Sequence, residues 1–209
     1  LQQLADFCYD HHLLVISDEI HCDMAIFGHK HIPFATVSEK ARENSITFQA
    51  PTKTFNIAGI ISSYAIIPNA DIRKKFYGWI KANELDEANI FAPIATIAAF
   101  TKGEEWRKSM LTYIEDNVRF IEDYCKKNIP QIHPLRPQAS FLVWLNCREL
   151  NLDHKDLLDL FIDKAHLALN DGEMFGQGGE GFMRMNIATP RSVIKQALDQ
   201  LATAVNNLK

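Results

Sequence analysis

Cysteine is scarce in this chain: four residues, Cys8, Cys22, Cys125 and Cys147, lie scattered with no C-x-x-C pair. That distribution argues against a disulfide framework and suits reduced thiols in a cytoplasm. There is no apolar run of about 18 residues to cross a bilayer, and no signal peptide opens the chain. Positive charge is not in excess either. A formal net charge of −4 leaves no electrostatic footprint for nucleic acid or an acidic membrane. Gly/Ser linkers, low-complexity tracts and internal repeats are also missing. So are an initiator Met and any cap residue ahead of LQQLADFCYDHH, where Leu1, Leu4, Ala5 and Cys8 fall at helical spacing. The pattern predicts a chain that begins inside an amphipathic helix and belongs to a longer polypeptide.

What is present is the composition of an ordinary globular protein: 209 residues, 47% hydrophobic and 23% charged. Length and apolar content suffice for one large domain or two small ones. The first half predicts an opening helix, a buried strand at 12–17, a short helix at 36–43, a strand at 45–49 and a third strand at 60–67. Near-continuous apolar strands alternating with helices argue for a parallel α/β sheet covered on both faces. Ligands bind outside the carboxyl ends of such strands, where Asp18 and Lys53 both fall. From Asp71 the pattern turns helical, at 71–83, 86–101 and 104–127. A strand at 139–146, a helix at 154–165, a short strand at 166–170 and the alternating GFMRMNIA strand follow. Pro190 starts a last helix whose expected apolar face is Val193, Ala197, Leu201 and Val205.

The stretch LLVISDEIHCD, residues 13–23, carries the first chemical signal. DEIH spells the DExH box of a nucleic-acid-dependent ATPase, in which Asp18 would hold Mg²⁺ and Glu19 would activate water. The downstream Ser/Thr and arginine-finger motifs of that class are absent. Asp18, His21 and Asp23 as a metal cluster lack supporting ligands at the right spacing. His29 and His31 in GHKHIP read as an exposed polar loop.

The second signal is APTKTFN, residues 50–56, which sets Lys53 in a turn after a buried strand. Most lysines in such loops are merely solvated. A strand-end Asp followed 35 residues later by a strand-end Lys also meets the needs of a Schiff-base cofactor. The amine forms an imine with an aldehyde, and the carboxylate keeps a pyridine nitrogen protonated so that the ring accepts electrons.

SDEIH, APTKTFNIAG, PQASFLVWL and FGQGGEGFMRMNIATPR occur in that order, and with them the whole chain resembles the class I/II aminotransferase-like, fold-type I pyridoxal-phosphate enzymes. Within these it is most similar to the cystathionine β-lyase/cystalysin-type C–S lyases. The resemblance implies an α/β fold: part of a mostly parallel sheet from the large cofactor domain over 1–101, with its bridging helix, and a small C-terminal α+β domain over 102–209. It implies pyridoxal 5′-phosphate as cofactor, a small amino-acid substrate, a homodimer, and an upstream part carrying the phosphate turn and the ring-stacking residue.

Residue by residue, the resemblance makes Asp18 the pyridinium partner and Lys53 the Schiff-base lysine that also moves the Cα proton. Desolvation and a cationic neighbour would lower the amine's pKa for that task. Ile20 would pack beneath the ring or be plain core. Thr52 would bond the phosphate or only its own backbone. Arg184 would grip the substrate carboxylate through its planar guanidinium, or sit on a solvated face that Phe182, Arg184, Asn186 and Ala188 share. Glycines 176, 178, 179 and 181 resemble a phosphate loop in composition alone and read as a mobile turn. Two departures from the aminotransferase pattern stand out. His21 replaces the Tyr expected three residues after the Asp, and Ile61 replaces the Arg expected eight residues after the Lys. Both tilt the expected reaction toward β-elimination of sulfur amino acids to pyruvate, ammonia and a thiol. Transamination is the nearest rival, and a non-catalytic regulatory or interaction role is a third possibility.

Overall fold

The computed structural model describes residues 1–208 and divides into two compact units, Leu1–Ser109 and Met110–Lys209. In the first unit, α1 (Gln2–Asp10) leads to β1 (Val15–Asp18), α2 (Glu39–Glu43), β2 (Ser45–Gln49), the single turn α3 (Pro51–Thr54) and β3 (Tyr64–Ile66). β1 and β2 are parallel, with Asp18 opposite Phe48. The expected His12–Ser17 strand starts late because His12 takes a left-handed φ of 57° and Leu13 N bonds back to Cys8 O at 2.8 Å. Those two features close α1 before an extended strand can begin.

β3 pairs antiparallel with β2, Gln49 opposite Tyr64, so one of this sheet's two strand pairs is parallel. The cause lies in the connection. A parallel return needs a crossover, usually a full helix, and here only α3 and a 3-10 turn at Ala58–Ile60 intervene. Ile61, left-handed at φ 51°, further shortens the strand expected from residue 60.

One sheet face packs on a core of Ala5, Phe34 and Ala41 with Val15 and Val37. Of the helical stripe at the N-terminus, Ala5 is buried, while Leu1 and Leu4 are exposed. The other face is covered unevenly. Phe76 of α4 (Ala70–Ala82) packs edge-on against Phe48 at 5.8 Å, whereas Ile16 is 64% exposed. Asn69 caps α4 by accepting from Asp71 N and Ile72 N. The helix expected at 86–101 is α5 (Ala92–Lys102). Asn89 organises the turn before it, with Oδ1 accepting from Phe91 N, and Pro93 suits only the first helical turn. Gly103 stands between α5 and α6 (Glu104–Asn128), where a Cβ would stand 2.4 Å from Ala99 O and 2.5 Å from the Phe55 ring.

α6 begins in the first unit and ends in the second, where Ile114, Val118, Ile121 and Cys125 form its buried stripe. The second unit's sheet has the order β4-β5-β7-β6, with β4 (His133–Leu135), β5 (Leu142–Asn146), β6 (Asn170–Asp171) and β7 (Phe182–Asn186), every pair antiparallel. β4 escapes sequence reading because Pro134 interrupts it, a residue tolerated only at a sheet edge. α7 (His154–Asp159) passes into a π-helical turn over Leu160–Lys164, burying Leu160 and Phe161. In α8 (Arg191–Asn206) the buried face is Ile194, Leu198, Leu201 and Val205, and Val193 is 50% exposed. The expected stripe through Val193 and Ala197 is therefore one residue out of phase. Each buried Ile or Leu contributes about 1.5–3 kcal/mol, so the bulkier row faces inward.

Candidate active site

Parallel pairing brings the carboxyl ends of β1 and β2 to one sheet edge. Asp18 is the last residue of β1, is exposed, and accepts from Ile20 N through Oδ1 at 3.2 Å. β2 ends two residues before Pro51, whose fixed φ suits the first turn of α3. On that turn Lys53 is exposed and, among the described residues, makes no ion pair, while Thr52 is half-buried. Thr54 is buried with its hydroxyl unpartnered. Ile20 and His21 are half-buried and follow Asp18 directly; His21 O receives Met24 N at 3.0 Å, opening the 3-10 turn Cys22–Met24. Ile61 is 80% exposed. The first unit thus gathers Asp18, Ile20, His21, Thr52 and Lys53 at one end of one sheet.

Sequence reasoning gave Glu19 a role only in the DExH reading and did not foresee its contacts. It is 6% exposed and accepts from Phe34 N at 2.8 Å and Ser17 Oγ at 3.0 Å, with His31 Nε2 2.7 Å away. Burial pushes the Glu19 carboxyl up, but the bonds from His31, Phe34 and Ser17 outweigh it and hold the carboxyl below its ordinary range. His31 is accordingly tied to the strand end rather than being a bystander in a polar loop.

Strand alternation places Asp18 and Phe48 on one sheet face and Ser17, Thr47, Gln49 and Tyr64 on the other. On that second face a polar cavity of about 440 Å³ is lined by Cys22, Asp23, His31, Gln49, Tyr64 and Arg107, among others. Tyr64 donates to Gln49 Oε1 at 2.9 Å, and Arg107 donates to Asp23 O at 2.9 Å. Burial first, then the negative Asp23 and Glu19, pushes the Cys22 thiol up to about 11.

Arg184 belongs to the second unit. It stands on β7 opposite Trp144 and Asn170, donates to Asn170 Oδ1 at 3.0 Å, and keeps a buried Nε with no partner. Its guanidinium lies over the Phe175 ring. A cavity of about 300 Å³ beside it is lined by Leu135, Trp144, Phe175, Phe182 and residues 176–179. The glycine stretch follows a 3-10 turn and runs into β7, so it is no nucleotide loop. It folds tightly on its own backbone: a Cβ on Gly172 would stand 2.2 Å from Gly179 O. Asn170 and Phe175 were not foreseen as partners of Arg184, since neither spacing nor periodicity marks them.

Asp18 thus ends β1 and Lys53 lies on the turn just after β2, the strand parallel to it, and comparison with known proteins identifies the family. The family model for aminotransferase class I and II matches residues 1–201, and the chain belongs to that family. It is 37% identical over 206 residues to the cystathionine β-lyase PatB of Bacillus subtilis, covering 99% of this chain and 53% of the relative. It is 32% identical over 210 residues to protein MalY of Escherichia coli, covering 100% of this chain and 53% of MalY. The structure of cystalysin from Treponema denticola, which contains a pyridoxal 5′-phosphate cofactor, matches with a TM-score of 0.95 at 35% identity, over 100% of this chain and 53% of that one. The chain therefore spans about half the length of the curated relatives it matches.

Proposed function

We propose that this chain serves a pyridoxal-phosphate-dependent C–S β-lyase acting on amino acids with sulfur at Cβ. The observation that carries the proposal is the pairing of Asp18 and Lys53. An exposed carboxylate and an exposed amine, the latter without an ion pair among the described residues, stand at or just beyond the carboxyl ends of adjacent parallel strands, in a chain 37% identical to a cystathionine β-lyase.

The residues present fit the cofactor chemically. Lys53 offers an amine uncommitted among the described residues, as an imine with an aldehyde requires, and Asp18 offers an anion for a protonated pyridine nitrogen. When bound, the cofactor supplies an electron sink for the pair released at Cα. Within the proposal, Lys53 holds the cofactor and then moves the Cα proton. Ile20 would contribute apolar contact to the cofactor ring, His21 would offer a hydrogen bond to its phenolic oxygen, and Thr52 would offer its hydroxyl to the phosphate. Arg184 binds the substrate carboxylate with its unused donors. Thiolate leaves Cβ, and water releases the remaining carbon unit as pyruvate and ammonia. The assembly we propose is a homodimer, which sedimentation would test.

Borohydride reduction of the cofactor-loaded protein, followed by peptide mapping, should place the label on Lys53. A label elsewhere rejects the assignment. The second reading, an aminotransferase on the same site, is favoured by the family the chain belongs to; it differs in requiring a keto-acid acceptor for turnover.

A further inference from the structure

The Glu19 carboxylate is buried, next in sequence to the exposed Asp18. Its bond from Ser17 Oγ sets the carboxyl on the Ser17 side of the strand end, and Ser17 and Asp18 project to opposite faces. A buried carboxylate costs several kcal/mol unless it is well bonded, and this one is bonded on every side. Ser17 Oγ lies 3.0 Å from Oε1, Phe34 N 2.8 Å from Oε1, and His31 Nε2 2.7 Å from Oε2. The titratable groups near it are His31, from the loop before Phe34, and Cys22, from the turn that follows.

The backbone is clamped as well. Glu19 N donates to Phe48 O at 2.9 Å, extending the β1–β2 ladder one residue past Asp18. Asp18 Oδ1 receives Ile20 N, so the Asp18 side chain is oriented by the peptide on the far side of Glu19. Phe34, whose amide Glu19 holds, is itself buried against the Ala5 and Ala41 core. The carboxylate thus fastens the turn carrying Asp18 to the rigid part of the unit.

We infer that Glu19 is a positioning residue: held by Ser17, His31 and Phe34, it fixes the turn that aims the Asp18 carboxylate. This rests on the proposed pairing of Asp18 with the cofactor's pyridine nitrogen. A residue that works only through Asp18 has nothing left to do once that carboxylate is gone.

The test is a double-mutant cycle on the cofactor-loaded protein with Glu19→Ala, Glu19→Gln, Asp18→Asn and the double variant Asp18→Asn/Glu19→Ala. Cofactor dissociation constants are read by titrating the stripped protein, and the pH midpoint of the bound cofactor's absorbance is read separately. Glu19→Ala should weaken cofactor binding about tenfold and shift that midpoint. Glu19→Gln, which still accepts from Phe34 N, should recover most of both effects and covers the case in which the alanine variant fails to fold. The double variant should bind within about twofold of Asp18→Asn alone. Effects that multiply, with an unmoved midpoint, would make Glu19 a general structural brace and overturn the inference. Wild-type cofactor affinity in Asp18→Asn would instead remove the underlying reading of Asp18, and the inference with it.

Discussion

Arg184 sets its guanidinium carbon 4.2 Å from the centre of the Phe175 ring while its Nη2 donates to Asn170 Oδ1 at 3.0 Å. Stacking and one hydrogen bond fix the plane of the group and leave donors unspent, with Nε buried and unpartnered. A planar fork prepared in this way suits a carboxylate, and lysine cannot reproduce it. Arg184→Lys should raise the substrate KM about ten- to a hundredfold, the loss of a bond worth about 1.5–3 kcal/mol, with cofactor affinity unchanged. An unchanged KM would return Arg184 to a merely structural place on β7.

Asn117, completely buried on α6, donates to Ile187 O at 3.1 Å and Thr189 O at 3.2 Å and accepts from Arg191 Nε at 3.1 Å. It closes the turn between β7 and α8. Asn117→Ala leaves those carbonyls short of a donor and opens a small void. It should destabilise the protein by about 1–3 kcal/mol, measured by urea unfolding. A variant as stable as the parent would show that water replaces the side chain at no cost.

The Glu19 carboxyl titrates below its ordinary range in the folded protein. Its contribution to stability is therefore fully present above the unfolded-state pKa and is lost as the pH falls through the folded-state value. Urea midpoints of the parent should fall more steeply in the acid range than those of Glu19→Gln. Parallel acid limbs in the two proteins would contradict this.

Burial pushes Cys125 and Cys147 each up to about 12, with Cys125 adding to the shift at Cys147. Both thiols stay protonated at neutral pH and are shielded from reagents. Alkylation at pH 8 should spare them in the folded protein and reach them once urea is added. Modification of either in the folded state would mean that the second unit opens locally.

How much was legible depended on the range of the interaction involved. β2, α4 and α6 followed from apolar periodicity and local caps, and the placement of Asp18 and Lys53 after strands followed from the apolar runs before them. The antiparallel return of β3 was hidden, because it depends on how short the helices of the connection turn out to be. On α8 the expected Leu201 and Val205 are buried, but Ile194 and Leu198 take the places expected for Val193 and Ala197, since Val193 and Ile194 are both apolar and only packing decides between them. Glu19 with His31 was invisible: the residues are twelve apart and joined by a loop of no periodicity. Long-range polar contacts of this kind leave no pattern in sequence.

The central proposal is that a cofactor-loaded protein containing this chain eliminates sulfur from Cβ. The direct measurement is pyruvate release from cystathionine with no keto acid present, compared in one preparation with amino-group transfer from alanine to an added keto acid. Elimination faster than transfer, and independent of the keto acid, is the predicted result. Transfer that outpaces pyruvate release and requires the keto acid would contradict the lyase assignment and leave the aminotransferase reading in its place.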